Sequence, residues 1–274
     1  MKITIRKKDS VTSAVLFIYN ILSETRNESS VRLDNLLELI QFFGKSETSI
    51  RTSLSRMVAS GVLLSRKQGN QTYFDLSQTG ARNIALWNKG LTRFFSRYSQ
   101  KSRGWSGQWN ILSVADFNKS DYGNTEILDD LYECGLRELN NNVWATPYQI
   151  EEVLGILRAA GFHYYSFSGS LSSDINMTTL VNGAFETAAL KQKFSEFLQK
   201  AHDATSIIST KSGEELLPVL FNFGWDFHDI VTADPVLPNE LCEMREEDEA
   251  VESMKKIRQA ALEKIVQYLK AKDI

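Results

Sequence analysis

A short segment between Ser46 and Gly61 carries side chains of the types that contact nucleic acid. Its apolar residues recur at the spacing of one helix face, which predicts a helix from Glu47 to about Ser60. The opposite face is hydroxylated and basic, and it carries no carboxylate. A surface helix usually mixes both signs of charge, so this composition favours a groove lined by phosphates. The side chains predicted to contact DNA here are Thr48, Arg51, Thr52, Ser55 and Arg56.

A second basic segment follows directly. Residues 62–67 and 71–76 are two extended runs on either side of a glycine-containing tip, a pattern that predicts a β-hairpin. Basic and amide side chains at such a tip suit contacts with the phosphate backbone of DNA. Removal of such side chains lowers the affinity for all DNA sequences alike. The residues predicted to make these contacts are Arg66, Lys67, Asn70 and Gln71.

Both segments fall within the order of elements that is typical of a winged helix-turn-helix. A first helix can be capped by Asp9 and Ser10, and a second by Asp34. Gly44 ends the second helix, and Ser46 caps the third. In this fold the third helix enters the major groove, and the hairpin lies along the backbone or the adjacent minor groove. The alternative for the third helix is an ordinary solvated face.

Charge is distributed unevenly along the chain. The 274 residues have a formal net charge of −3, yet residues 1–105 hold 17 basic and 7 acidic residues. Residues 106–274 hold 14 basic and 27 acidic residues. This asymmetry favours a basic module that meets a polyanion and an acidic body that does not. The alternative is chance clustering of solvated charge.

The complete pattern predicts an α+β protein with several parts. Residues 1–80 form the winged-helix DNA-binding domain, and residues 81–105 form a linker helix. Residues 106–170 alternate strand and helix patterns in the order βαββαβ, which fits a ferredoxin-like sandwich. Residues 171–274 predict a C-terminal helical domain.

Composition excludes several classes of protein. With 42% hydrophobic and 24% charged residues, the chain is neither collagen-like, nor wholly disordered, nor an integral membrane protein. Cys134 and Cys242 are too far apart for a CxxC zinc site, and the three histidines show no ligand spacing. The basic N-terminus lacks the apolar region of a signal peptide, so we expect a cytoplasmic location without membrane association. No catalytic, metal or cofactor site is predicted.

Motifs along most of the chain resemble those of the PaaX-type transcriptional repressors, which regulate phenylacetic acid catabolism in bacteria. The resemblance is carried by Ser46–Val58, Gly61, Arg66, Gly69, Tyr73, Leu76-Ser77 and Gly80, then by Trp105 and Trp109, Val143-Trp144 with Pro147, and Asp234-Pro235 with Leu237, Pro238 and Leu241. It implies a winged helix, a central domain similar to Cas2 and a C-terminal helical domain. It also implies a repressor that acts as a homodimer on a palindromic operator and is released by an acyl-CoA, a thioester of an aromatic acid.

Two departures from the family pattern lie in the C-terminal region. Cys242-Glu243-Met244-Arg245 follows Leu241, where the family shows a proline and soon a tryptophan. The segment around Phe185 also lacks an expected tryptophan. Both departures concern the effector, whose acyl group can therefore differ from phenylacetyl, and neither concerns the DNA-binding segments.

Two other functions compete with a repressor. A Cas2-like domain could be a metal-dependent nuclease, with Asp116 at the end of the first central strand holding Mg²⁺. A dimerising adaptor could instead bind RNA by stacking bases on Tyr164, Tyr165 and Phe167, although aromatic side chains on a strand more often belong to a core.

A homodimer requires an interface in the acidic body, because two basic modules repel each other. The apolar stripe of the terminal helix is one candidate surface, and packing within its own domain is the alternative. The stripe comprises Met254, Ile257, Ala261 and Ile265.

Overall fold

The computed structural model describes residues 7–25, 30–171 and 176–274 and has an α+β fold. The helices are α1 (Val11–Thr25), α2 (Leu33–Gln41), α3 (Glu47–Ala59), α4 (Gln78–Tyr98), α5 (Thr125–Glu133), α6 (Glu151–Ala159), α7 (Met177–Ala184), α8 (Thr187–Thr210), α9 (Gly213–Thr232) and α10 (Arg245–Ala271). The strands are β1 (Ser30–Arg32), β2 (Leu63–Gln68), β3 (Gln71–Leu76), β4 (Trp109–Val114), β5 (Arg137–Asn140), β6 (Val143–Thr146) and β7 (Tyr164–Gly169). Within the described ranges, no helix is both long and apolar enough to span a bilayer. Residues 1–6, part of the N-terminus on which the targeting prediction rests, lie outside the described residues.

The chain divides into two compact units, and neither is continuous in sequence. The first unit contains Met1–Lys89, Leu198–Phe227 and Val251–Ile274, and the second contains Gly90–Phe197 and His228–Ala250. Helices α4, α8, α9 and α10 each contribute residues to both units. The domain boundaries predicted at residues 80, 105 and 170 remain a proposal about how the chain is organised.

The first unit is built on an antiparallel three-stranded sheet. The strand order is β1-β3-β2, so β3 is central and its carbonyls face neighbours on both sides. Tyr19 of α1 is completely buried, and its hydroxyl donates a hydrogen bond of 2.7 Å to the carbonyl of Phe74 in β3. This bond fixes α1 to the centre of the sheet, because the hydroxyl has no access to water.

The predicted cap of the second helix is wrong. Helix α2 begins at Leu33, and Arg32 occupies its N-cap position without a side-chain cap bond. Asp34 therefore lies in the first turn, where its carboxylate accepts a hydrogen bond of 2.9 Å from Arg32 Nε. That bond lowers the pKa of Asp34. Asp34 Oδ1 also accepts a hydrogen bond of 3.0 Å from the Asn35 N–H, so a neighbouring guanidinium and the backbone share this carboxylate.

Segments distant in sequence complete the first unit. The ring of Phe221 in α9 packs edge-on against Phe17 at 5.2 Å and against Phe43 at 5.4 Å. In α10, the Tyr268 hydroxyl donates to the Glu38 carboxylate at 2.8 Å. The helical stripe considered as a dimer surface is occupied by this packing, because Ile257, Ala261 and Ile265 are all buried within the chain.

The second unit contains an antiparallel four-stranded sheet in the order β5-β6-β4-β7. Its strands and helices follow one another as βαββαβ, the order predicted for residues 106–170. One face packs against α5 and α6 through a cluster centred on Trp144. On the other face, Trp109 and Ile111 pack with Val181 and Phe185. Both faces are therefore covered near the centre of the sheet.

Buried arginines of α4 hold the second unit together. Arg93 forms ion pairs of 2.6–2.7 Å with Asp130, Glu133 and Glu152. Arg93, Arg97 and Lys101 are each exposed by only about 5–6%. The charge count for residues 1–105 had assigned these three cations to a basic module, so it overstates the positive charge available to a polyanion.

Two carboxyl groups are also buried in the second unit. Asp234 precedes Pro235 in the turn after α9, and Glu247 lies in the first turn of α10. Lys101 donates to one oxygen of Glu247 at 3.1 Å. Among the described residues, no group donates a hydrogen bond to Asp234 Oδ2 or Glu247 Oε1. Burial and the nearby Asp234 carboxyl raise the pKa of Glu247 to about 8, against the opposing effect of Lys101.

We expect this buried carboxyl to make the folded state less stable as the pH rises from about 4.5 to about 8. Across that range the folded protein retains a proton that the unfolded chain releases, so a rise in pH favours unfolding by up to about 1.4 kcal/mol per pH unit. Glu247→Gln removes the titrating proton and keeps an acceptor for Lys101. The free energy of unfolding of this variant should therefore fall less steeply with pH. Urea unfolding at pH 5, 6, 7 and 8 measures the difference. If the free energy of unfolding fell equally with pH in the variant and the wild type, the raised pKa of Glu247 would be contradicted.

Candidate nucleic-acid interface

The packing of α3 determines which of its side chains reach solvent. The Ser46 hydroxyl accepts a hydrogen bond of 3.3 Å from the Ser49 N–H and caps the helix, as predicted. Ile50, Leu54 and Met57 are buried on the inner face. Their burial turns the opposite face outward, so all five predicted side chains on this helix are exposed: Thr48, Arg51, Thr52, Ser55 and Arg56.

The two arginines of α3 differ in their surroundings. Arg51 Nε donates to Glu47 Oε1 at 2.8 Å, one helical turn away, and both side chains are about half exposed. An exposed pair of this kind contributes only about 0.3–0.5 kcal/mol, so a phosphate can displace the carboxylate. The side chain of Arg56 makes no hydrogen bond or ion pair within the described ranges. Its guanidinium is therefore the most available cation on this face.

The hairpin β2–β3 presents a second exposed surface. Gln68 pairs with Gln71, so a loop of only two residues, Gly69 and Asn70, joins the strands. Gly69 has a φ of 60°, which glycine adopts without the steric cost that a side chain would add. The predicted contact residues of the hairpin are all exposed: Arg66, Lys67, Asn70 and Gln71.

Arg66 is held in a defined orientation. Its guanidinium lies 4.8 Å from the ring centre of Tyr73, the residue directly opposite on β3. It also donates to Ser30 at 3.0 Å and to Asp75 at 3.3 Å. Because these contacts order the side chain in advance, a phosphate contact by Arg66 would cost little further side-chain entropy.

Tyr73 contacts two of the predicted hairpin residues, although it was not itself among the predicted site residues. Its ring supports Arg66, and its hydroxyl donates to Gln71 at 3.0 Å, so it organises two of the predicted contact residues. The alternation of side chains along two paired strands would have placed Tyr73 on the same face as Arg66. The predicted contact residues were polar or basic, and this criterion left out the aromatic Tyr73.

Known proteins resemble this part of the chain in sequence. Residues 10–80 match the family model described as PaaX-like protein. Over these residues the chain is similar to the PaaX-like family. Over 246 residues it is 23% identical to the transcriptional repressor PaaX of Escherichia coli (strain K12), an alignment that covers 85% of this chain and 74% of that protein. The resemblance inferred from the motifs is thereby confirmed.

A solved structure shares the fold of this chain. The protein Rv0674 from Mycobacterium tuberculosis superposes with a TM-score of 0.59 at 18% sequence identity. The likeness covers 92% of this chain and 97% of that one. The family match at residues 10–80 also contains every residue of the candidate interface, from Thr48 to Gln71.

The cap of α3 gives a test of how the interface is supported. We expect Ser46→Ala to lower the free energy of unfolding by about 1 kcal/mol, because the Ser49 N–H loses its acceptor. Ser49→Ala is the matched control, since it removes an exposed hydroxyl three residues away and leaves the cap in place. Urea denaturation of both variants measures the difference. Equal stability of the two variants would show that the cap does not support α3.

Proposed function

We propose that this PaaX-like chain is a transcriptional repressor that binds an operator in duplex DNA. The exposed, hydroxylated and basic face of α3 beside an exposed basic hairpin carries the proposal. We assign residues 1–80 to a winged helix-turn-helix, in which α3 enters the major groove and the hairpin follows the backbone. Similarity to a transcriptional repressor supports a regulator and not an enzyme.

The side chains of the interface have different roles in this proposal. Arg56 contacts a base edge or a phosphate from α3, and Arg51 contributes from the flank after exchanging Glu47 for DNA. Thr48, Thr52 and Ser55 are short enough to let the helix approach the groove closely. In the hairpin, Arg66 and Lys67 contact phosphates, which provide affinity without sequence preference.

The nuclease alternative has less support. We assign residues 106–170 to a ferredoxin-like domain similar to Cas2, in which Asp116 follows β4 in a turn with a φ of 55°. Over the part of the chain that the structure describes, no three His, Cys, Asp or Glu side chains converge to hold a metal ion. Asp116 at the end of a strand therefore has no described partner ligands for Mg²⁺.

We further propose that an acyl-CoA releases the repressor from DNA. A groove of about 880 Å³ between α8 and α10 of the first unit has the chemistry for such a ligand. Its floor includes the buried Ile208 and Ile257, and Lys256 lies exposed at its rim. An apolar floor beside a cation fits an acyl chain attached to a phosphorylated carrier.

The DNA-binding proposal is tested on α3. Genomic fragments retained by the purified protein supply the operator, and fluorescence anisotropy then measures its affinity. We expect Arg56→Ala to weaken binding about 5- to 150-fold, the equivalent of about 1–3 kcal/mol for a bidentate contact with a guanine. If Arg56 contacts a phosphate instead, all sequences should weaken alike, and the log–log salt slope should fall by about 0.9.

Arg245→Ala is the control for loss of one exposed positive charge. The Arg245 side chain is 83% exposed and lies in the second unit, outside the candidate interface. We expect its affinity to equal that of the wild type. Equal affinities of Arg56→Ala, Arg245→Ala and the wild type would show that Arg56 does not contact DNA.

The effector proposal is tested by titration of aromatic and aliphatic acyl-CoAs into the protein–operator complex. We expect at least one thioester to lower the DNA affinity 5- to 150-fold, a usual range of coupling between two sites. Lys256→Ala should weaken this response and leave the DNA affinity without ligand unchanged. Release by the free acids but not by their thioesters would exclude an acyl-CoA as the effector.

A further inference from the structure

Strand β7 forms an exposed edge of the sheet in the second unit. Among the described strands it pairs with β4 alone. Tyr165 is 76% exposed and Phe167 is 65% exposed, so the interpretation of these strand aromatics as core residues was wrong. Two large apolar side chains, two residues apart on one edge strand, point outward from the same face of the sheet.

This edge lacks the features that usually prevent strands from pairing with other chains. From Tyr164 to Gly169 the strand has no charged residue and no proline, and its register with β4 is uninterrupted. Natural edge strands commonly carry a lysine, a proline or a bulge, because an unprotected edge is a template for pairing. An unprotected edge with aromatic side chains is therefore suited to an interface.

The surrounding sequence is also almost uncharged. Between Arg158 and Glu186 the only acidic or basic residue other than His163 is Asp174, although 24% of the chain is charged. The acidic body as a whole holds 27 acidic and 14 basic residues, so two copies repel each other over most of their surface. The stretch around β7 is where two copies can meet without opposing like charges.

We propose that β7 pairs with β7 of a second copy of this chain, antiparallel, about a two-fold axis at Ser166. This inference rests on the homodimer that the repressor function implies. A two-fold axis perpendicular to the sheet makes a strand antiparallel to its own copy, so the pairing closes as a symmetric dimer. The two four-stranded sheets then form one continuous sheet across the axis.

The side chains of β7 are complementary to themselves in this register. With Ser166 opposite Ser166 of the second copy, Tyr165 lies opposite Phe167 of the second copy. Cross-strand aromatic neighbours of this kind stabilise antiparallel pairs. The four rings cover on the order of 500 Å², about a third of the roughly 1,600 Å² of a standard interface. The other residues of β7 and the described residues that flank it would have to supply the remaining area.

Nucleic acid fits this surface less well. A single-strand binding face combines stacking aromatics with a positively charged groove that follows the backbone. No lysine or arginine lies in the sequence between Arg158 and Glu186, and the body around the strand is acidic. The aromatic side chains therefore favour a protein surface of the same composition over RNA.

Cysteine cross-linking tests the register. Directly opposed residues of an antiparallel pair have Cα atoms about 4.5–5.5 Å apart, within the range that a disulfide spans. We expect Ser166→Cys to give a covalent dimer under mild oxidation. Ser168→Cys is the matched control, because the two Ser168 positions are offset by four residues, about 13 Å along the strands. The wild type, with its half-buried Cys134 and Cys242, is oxidised in parallel.

Sedimentation of the full chain tests the surface itself. We expect Tyr165→Lys combined with Phe167→Lys to be monomeric at concentrations where the wild type is dimeric. Leu86→Lys is the control for replacing an exposed apolar residue with lysine, since Leu86 in α4 is 41% exposed. We expect this variant to remain dimeric. Thermal melting confirms that each variant is folded. The double variant should retain affinity for an operator half-site and lose the additional affinity for the palindrome.

The outcomes separate this inference from the proposed function. A dimeric double variant, or a Ser166→Cys protein that does not cross-link beyond the Ser168→Cys level, would overturn pairing through β7 and leave repression intact. A β7-dependent dimer that binds no duplex DNA would support the pairing and refute the repressor. A monomeric wild type that binds RNA through Tyr165 and Phe167 would overturn the pairing.

Discussion

The second unit depends on one buried guanidinium. Arg97 donates to the carbonyl of Glu133 at 2.7 Å, of Asp234 at 3.1 Å and of Pro235 at 3.0 Å. These bonds fasten the end of α4 to the end of α5 and to the turn that follows α9. Gly135 makes room for the side chain, because a Cβ at that position would lie 2.9 Å from Arg97 Nε. A buried cation requires such a complete set of acceptors, so these three segments hold one arrangement.

Local patterns in the sequence predicted the helix and the hairpin that carry the candidate interface. The apolar spacing of α3, its Ser46 cap and the glycine of the hairpin each depend on residues within one turn or one loop. These elements occur as predicted, and the βαββαβ order of the central strands and helices does too. Their agreement reflects the short range of helix periodicity, capping and turn geometry.

Contacts between residues that are distant in sequence could not be predicted from local patterns. The periodicity of α4 did not show that Arg93 and Arg97 meet acceptors from α5 and from the turn at Asp234. The exposure of Tyr165 depends on the place of β7 at the sheet edge, which strand order decides and strand composition does not. These errors came from tertiary neighbours that lie far away in sequence, whereas the wrong cap at Asp34 came from Arg32, two residues away.

The discontinuous first unit has a consequence for synthesis of the protein on the ribosome. Helix α3 and its hairpin are translated by residue 76, but their unit also needs Phe221 beside Phe17 and Tyr268 beside Glu38. At about 5–20 residues per second, the later of those partners, Tyr268, emerges roughly 10–40 s later. A nascent chain must therefore keep its first helices incompletely packed for most of translation. Chains that are released early would carry the residues proposed to contact DNA without the packing that holds them in place.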